Sequence, residues 1–255
     1  MNISVVGYQG FIGSAIVRAI ERRGLRPNCI GRNDLISLQS ELIIDCNGNS
    51  SKFQTNNNPN LGLTEIVGAV SERIKQAQKG ARYIYISSGE VYGNEQHDSK
   101  ESDKVKTAEL SLYGNFKYQA EELVTSQMSN YLIIRPSGFV GEGLKKNPIF
   151  DLLNNSRIFV HQESEFQFCD VDWFADLVVT MALTEFVGIL NVSTTGSVSI
   201  KEVTEKLLIP PPLVERGATL EIHKLNTELL SNFIEVPSTF KHVESYILGV
   251  KGQNA

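Results

Sequence analysis

A short apolar run, Ile3-Ser4-Val5-Val6, leads directly into Gly7-Tyr8-Gln9-Gly10-Phe11-Ile12-Gly13. Beyond it the apolar residues Ile12, Ile16, Ala19 and Ile20 recur at helical spacing until Gly24 closes the segment. Three glycines at this spacing, between a strand and a helix, leave the chain few ways to fold. Gly7 allows a tight turn, Gly10 lets the backbone approach a pyrophosphate, and Gly13 lets the helix pack closely on the strand. The free N–H groups of the helix start then face the anion. Gly7, Gln9, Gly10, Phe11, Ile12 and Gly13 are therefore the expected phosphate cradle of a dinucleotide.

The pattern beyond the cradle agrees. Strands are expected at 28–31, 42–46, 82–88 and 131–135, with amphipathic helices at 61–79 and 113–128. Between 47 and 60 lie six Asn residues, which reads as a surface loop. Strand and helix alternate at intervals that predict βαβ units and a doubly wound parallel sheet. Past Gly143 the alternation loosens. Helices are expected at 147–153 and 200–208, one more sheet strand at 188–193, and a break at Ile209-Pro210-Pro211-Pro212.

Two further constellations suggest chemistry. After the second strand stands Gly31-Arg32-Asn33-Asp34, where an acidic residue would bond a ribose diol and an Arg would attract a 2′-phosphate. Arg32 favours NADP over NAD, with Asp34 close enough to turn toward the ribose. Ser87-Ser88-Gly89-Glu90 ends the fourth expected strand, and Tyr113-Gly114-Asn115-Phe116-Lys117 opens the helix after it. Tyr113 and Lys117 are i and i+4, so they project from one helix face. An ammonium beside a phenol is expected to lower its pKa, so that Tyr113 exchanges a proton while a nicotinamide exchanges a hydride.

Together with Ile134-Arg135-Pro136-Ser137-Gly138-Phe139-Val140-Gly141-Glu142-Gly143 and the Cys169–Val178 run, these motifs resemble the extended short-chain dehydrogenase/reductase family, the NAD-dependent epimerases and dehydratases. The resemblance covers about residues 1–195 in the family's order. It implies an α/β Rossmann fold with a small C-terminal substrate lobe. On that division 1–143, with 166–196 returning to it, forms the NAD(P)-binding domain, and 144–165 with 197–255 the lobe. It also implies catalytic roles for Ser88, Tyr113 and Lys117, a nicotinamide pocket lined by Pro136, and a nucleotide-sugar substrate. In dehydratases of the family a Glu at the position of Glu90 takes part in the chemistry, so a 4,6-dehydratase is a second expectation. A non-catalytic dinucleotide-sensing scaffold is a third. Where relatives acting on nucleotide sugars carry RPxNVYGPG, this chain reads RPSGFVGEG. The helices at 61–79 and 113–128 pair across dimers in related proteins, so a homodimer is expected.

Composition narrows the partners. The 255 residues carry 24 Lys and Arg against 29 Asp and Glu, a net charge of −5, which gives no basic excess for nucleic acid or an anionic bilayer. The opening residues lack a signal-peptide pattern, and the longest later apolar stretch, 177–190, is interrupted by Thr180, Thr184 and Glu185. Cys29, Cys46 and Cys169 are scattered and odd in number, which reads as free thiols in a reducing cytoplasm. No metal site is expected: His161, His223 and His242 lack partners at ligand spacing, and His97 sits in a polar loop.

Overall fold

The computed structural model describes residues 1–31, 34–37, 39–48, 52–94 and 98–253, with the side chain of residue 253 excepted. Within it the chain divides into two compact units. The first comprises Met1–Gly93, Lys104–Pro136 and Asp172–Leu190, the second Asn94–Asp103, Ser137–Val171 and Asn191–Ala255.

The first unit is built on strands β1 (Ile3–Val6), β2 (Asn28–Ile30), β3 (Leu42–Asp45), β4 (Arg82–Ile86), β5 (Tyr131–Pro136) and β6 (Gly188–Val192). Their order in the sheet is β6-β5-β4-β3-β1-β2, with β1 parallel to β2 and β3, β3 to β4, and β4 to β5. This is the Rossmann-like, doubly wound α/β arrangement expected from the alternation. Strand alternation divides the buried residues between two faces. On one face Val6, Ile43, Tyr83, Tyr85 and Ile133 share a core with Ile66, Val70, Ile74, Ala120 and Val124. Those last residues come from α4 (Ala69–Gln76), from the π-helical turn Leu63–Gly68 before it, and from α5 (Leu112–Gln127). The other face meets α1 (Phe11–Arg22), which buries Ile16, Ala19 and Ile20. Beside α1 runs α6 (Val171–Ala182), tied to it by Arg18–Asp172 at 3.0 Å and Arg23–Asp176 at 2.8 Å.

The Asn-rich segment read as a surface loop contains two short helices, α2 (Lys52–Asn57) and α3 (Pro59–Gly62). For α3 the reason is local capping: the Asn58 side chain accepts from the Leu61 amide, and Pro59 is pre-set for a first helical turn.

In the second unit, Gly138–Val140 pairs in parallel with Phe168–Asp170, and a three-stranded sheet runs Val198–Ser199, Glu165–Phe166, Ile222–His223. Helices Pro148–Leu153, Ile200–Lys206 and Thr239–Gln253 close on a core of Ile149, Leu152, Phe168, Ile200, Val243 and Ile247. Among the described residues no helix is long and apolar enough to cross a membrane, and no group of His, Cys, Asp and Glu could hold a metal ion.

Candidate active site

The glycine turn follows β1 and reads as spacing dictates. Gly7 has φ +76°, which a side chain rarely tolerates, and its amide donates to the Ile30 carbonyl at 2.9 Å. A Cβ on Gly13 would lie 2.2 Å from the Gly7 carbonyl oxygen, so helix and turn meet with no room for one. Gly10 is the N-cap of α1 and supplies no side-chain cap, leaving the first amides of a 12-residue helix free of one. Gln9 and Gly10 are exposed, while Phe11 and Ile12 are half-buried. A helix start without a side-chain cap, behind a turn bounded by Gly7 and Gly10, fits a pyrophosphate in both charge and space.

Beside the crook an open cleft of ≈ 520 Å³ is lined by Asp34, Asn47, Glu65, Glu72, Arg73 and Gln76, among others. Asp34 is turned back onto its own loop, its carboxylate accepting the Gly31 amide at 2.9 Å. Arg73 reaches the same loop from α4, donating to the Gly31 carbonyl at 3.2 Å and to that of Asp34. Arg32 and His97 lie outside the described residues.

The second half of the site forms where β4 ends. The adjacent serines point to opposite jobs. Ser87 is buried and donates to Glu121 at 2.5 Å, within a network in which Arg135 pairs with Glu121 at 2.6 Å and donates to the Tyr92 hydroxyl at 2.7 Å. Ser88 accepts the Glu90 amide at 3.2 Å, and its hydroxyl lies near enough to the Tyr113 phenol to favour the phenolate. α5 reaches this point because a Cβ on Gly114 would stand 2.4 Å from the Glu90 carbonyl oxygen, an approach glycine alone permits. Its first amides are satisfied from two sides: Ser111 accepts Gly114 N at 3.2 Å, and Asn56 of α2 accepts Tyr113 N at 3.1 Å. Lys52, one turn before Asn56, forms an ion pair with Glu90 at 2.9 Å.

Tyr113 and Lys117 are both buried against β4. The Lys117 ammonium donates to the Ile86 carbonyl at 3.1 Å and lies 5.0 Å over the Tyr85 ring. It also sits 3.7 Å from the Cβ position of Gly48, one residue past Asn47, whose backbone amide is 3.1 Å from the Cβ position of Gly7. The loop after β3 thus touches both the glycine crook and Lys117, placing the two halves at the same edge of the sheet. Pro136, at the end of β5, is buried.

The electrostatics depart from expectation at one point. Tyr113 stands above its ordinary pKa, not below it: burial disfavours the phenolate, the Glu90 carboxylate repels it, and only the Ser88 side chain works the other way. The Lys117 ammonium is engaged with Ile86 and Tyr85, and burial draws its own pKa down to about 8 against the pull of Asp45 and Glu121. Sequence reasoning missed Asp45, Lys52, Asn56 and Gly114. Gly114 alone left a signal, as the residue between Tyr113 and the helix body.

The profile of the family described as NAD dependent epimerase/dehydratase matches residues 32–185. No curated protein sequence matches the chain. Among solved structures it resembles MoeE5 in complex with UDP-glucuronic acid and NAD, at a TM-score of 0.85 and 18% identity, covering 99% of this chain and 100% of that one. It also resembles dTDP-4-dehydrorhamnose reductase from Bacillus anthracis with NADP, at 0.81 and 18%, covering 98% and 99%. TunA, an NAD-dependent NDP-hexosamine 5,6-dehydratase of tunicamycin biosynthesis, follows at 0.81 and 16%, covering 96% and 97%. At these identities the structures share the fold. With more than half of its length matched by the family profile, this chain belongs to the NAD-dependent epimerase/dehydratase family.

Proposed function

We propose that the chain is an NAD(P)-dependent oxidoreductase or epimerase that acts on a hydroxyl or keto group of a sugar carried on a nucleotide. The observation that carries this reading is Tyr113 and Lys117 buried one helical turn apart on α5, with Ser88 at the end of β4 beside the phenol, on the sheet edge that also bears the glycine crook. Nucleotide-sugar and NAD(P) complexes among proteins of the same fold support the substrate class.

A bound dinucleotide supplies the hydride or accepts it. The chain handles the proton. Tyr113, held protonated by burial and by Glu90, donates to the oxygen of a carbonyl as it becomes an alkoxide. Ser88 hydrogen-bonds that same oxygen and fixes its position. Lys117, one helical turn along α5, takes the supporting role the family resemblance implies, its positive charge offsetting that of the phenolate left after transfer. In the oxidative direction the same groups act in reverse. NADP(H) is the proposed form, on Arg32 and on Asp34 being engaged by the Gly31 amide.

The test is Tyr113→Phe. Turnover on a panel of nucleotide sugars and their 4-keto derivatives is expected to fall by orders of magnitude, with NADPH affinity by calorimetry nearly unchanged. Near-normal turnover in that variant would remove Tyr113 from the mechanism. A second reading, a 4,6-dehydratase, is favoured by the Glu90 carboxylate acting on Tyr113 and opposed by its ion pair with Lys52. A 4-keto-6-deoxy product from a nucleotide hexose marks this second activity, and its absence across donors counts against it.

A further inference from the structure

The third strand ends in a charge where its other residues are apolar. Asp45 is fully buried, accepting the Tyr83 hydroxyl at 2.5 Å on one oxygen and the Asn47 amide at 2.8 Å on the other. In the sheet register Asp45 stands beside Tyr85, the ring over which the Lys117 ammonium sits. That ammonium is bracketed by the Ile86 carbonyl on one side and by Gly48, three residues past Asp45, on the other. Asp45 and Lys117 are thus opposite charges buried around one ring. A buried charge without a counter-charge is among the most costly things a fold can contain.

We propose that Asp45 is a positioning residue for Lys117, its carboxylate serving as the fixed counter-ion that keeps the ammonium charged and seated between the Ile86 carbonyl and the Gly48 turn. Burial works against both charges, pushing the Asp45 carboxyl up and the Lys117 ammonium down, and each draws the other back. The remaining groups facing the pair are Cys46 from the end of β3, Glu121 from α5 and Arg73 from α4. Cys46 and Glu121 favour the charged ammonium, and Arg73, with the Tyr83 and Asn47 hydrogen bonds, favours the carboxylate. Tyr113 stays neutral below its raised pKa.

A purely structural Asp45 would serve only as acceptor for Tyr83 and Asn47, and Asp45→Asn preserves one such acceptor while deleting the charge. The experiment follows the Lys117 signal by NMR in chains labelled with 13Cε-lysine, assigned by its loss in Lys117→Met. The wild-type midpoint is expected near 8. In Asp45→Asn it should fall by about one unit, the low end of what a neighbouring opposite charge supplies. An unchanged midpoint in folded Asp45→Asn overturns the proposal. Should that variant fail to fold, the converse decides: the Asp45 13Cγ signal in Lys117→Met should titrate at higher pH than in wild type, since coupling is reciprocal. An unmoved Asp45 midpoint, or a carboxyl already protonated at neutral pH in the wild-type chain, is equally fatal. The inference rests on Lys117 being the partner of Tyr113 only for its catalytic consequence. Titration reads the coupling in the chain itself, whereas failure to bind NADPH or to turn over substrate tells against the proposed function.

Discussion

Position 114 shows how a hydrogen atom in place of a methyl group arranges a reaction centre. The Cβ of an alanine there would stand 2.4 Å from the Glu90 carbonyl oxygen, and the nearby backbone has no flexible end to move aside. Gly114→Ala must separate α5 from the turn Gly89–Tyr92 and draw Tyr113 away from Ser88. We expect a loss of about 1–3 kcal/mol in thermal unfolding, typical of overpacking, and a proportionally larger loss of turnover. Lys117 sets a second expectation. With its pKa drawn down to about 8, the ammonium is present below that pH and lost above it. The folded pKa lies under the ordinary lysine value, so kcat/KM should decline above about pH 8 while global stability gains from this group as pH rises toward ~10.4. Much at this scale was legible. The helical spacing of Tyr113 and Lys117 and the serine at a strand end are local facts. The direction of the Tyr113 shift was not, because it is set by burial and by Glu90, 23 residues earlier in the chain. Asp45 and Lys52 were illegible for the same reason: a lone charge in a sequence does not show its partner.

Among the elements, α2 is the instructive case. Its sequence, Lys-Phe-Gln-Thr-Asn-Asn, is poor in helix formers, and Asn favours turns through side-chain bonds to nearby backbone. Tertiary contact overrides that preference, since Asn56 caps an amide of α5 and Lys52 pairs with Glu90. Removing the cap leaves the Tyr113 amide half-buried without its acceptor. Asn56→Ala should therefore lower stability by about 1 kcal/mol, read from denaturant unfolding. Strands β1, β3, β4 and β5 were legible as continuous apolar runs, the mark of strands buried on both faces. The helix Thr239–Gln253 was not, because Gly249 and Gly252 interrupt it and only Val243 and Ile247 mark its buried stripe.

At the scale of the chain, each compact unit is assembled from three separate segments. The first is held closed by Arg82, whose guanidinium donates from β4 to the carbonyls of Ala182 at 3.0 Å and Phe186 at 2.7 Å, at and beyond the end of α6. This is a cation at a helix C-terminus, favourable to the local dipole. A chain ending at Pro136 would retain five of the six strands yet leave that guanidinium with Asn130 alone and α1 as the only helix on the α6 side of the sheet. Such a fragment should show no cooperative melting transition by circular dichroism, and a sharp transition would mean that the first 136 residues suffice. Alternation of strand and helix made the sheet readable early, and its sixth strand at 188–193 was expected; the contacts that hold 172–190 in place were not legible, because they join residues some 100 positions apart, such as Arg82 with Ala182.

The order in which the sheet fills has a bearing on how the protein is made. During synthesis β5 emerges long before β6, the strand that will lie against it, and meanwhile its outer backbone amides and carbonyls are unpaired. A nascent chain paused in the intervening stretch presents the ribosome exit with an adhesive margin, and newborn copies on one messenger have the chance to zip together there. Slow translation before residue 188 would lengthen the time for which that margin stands open.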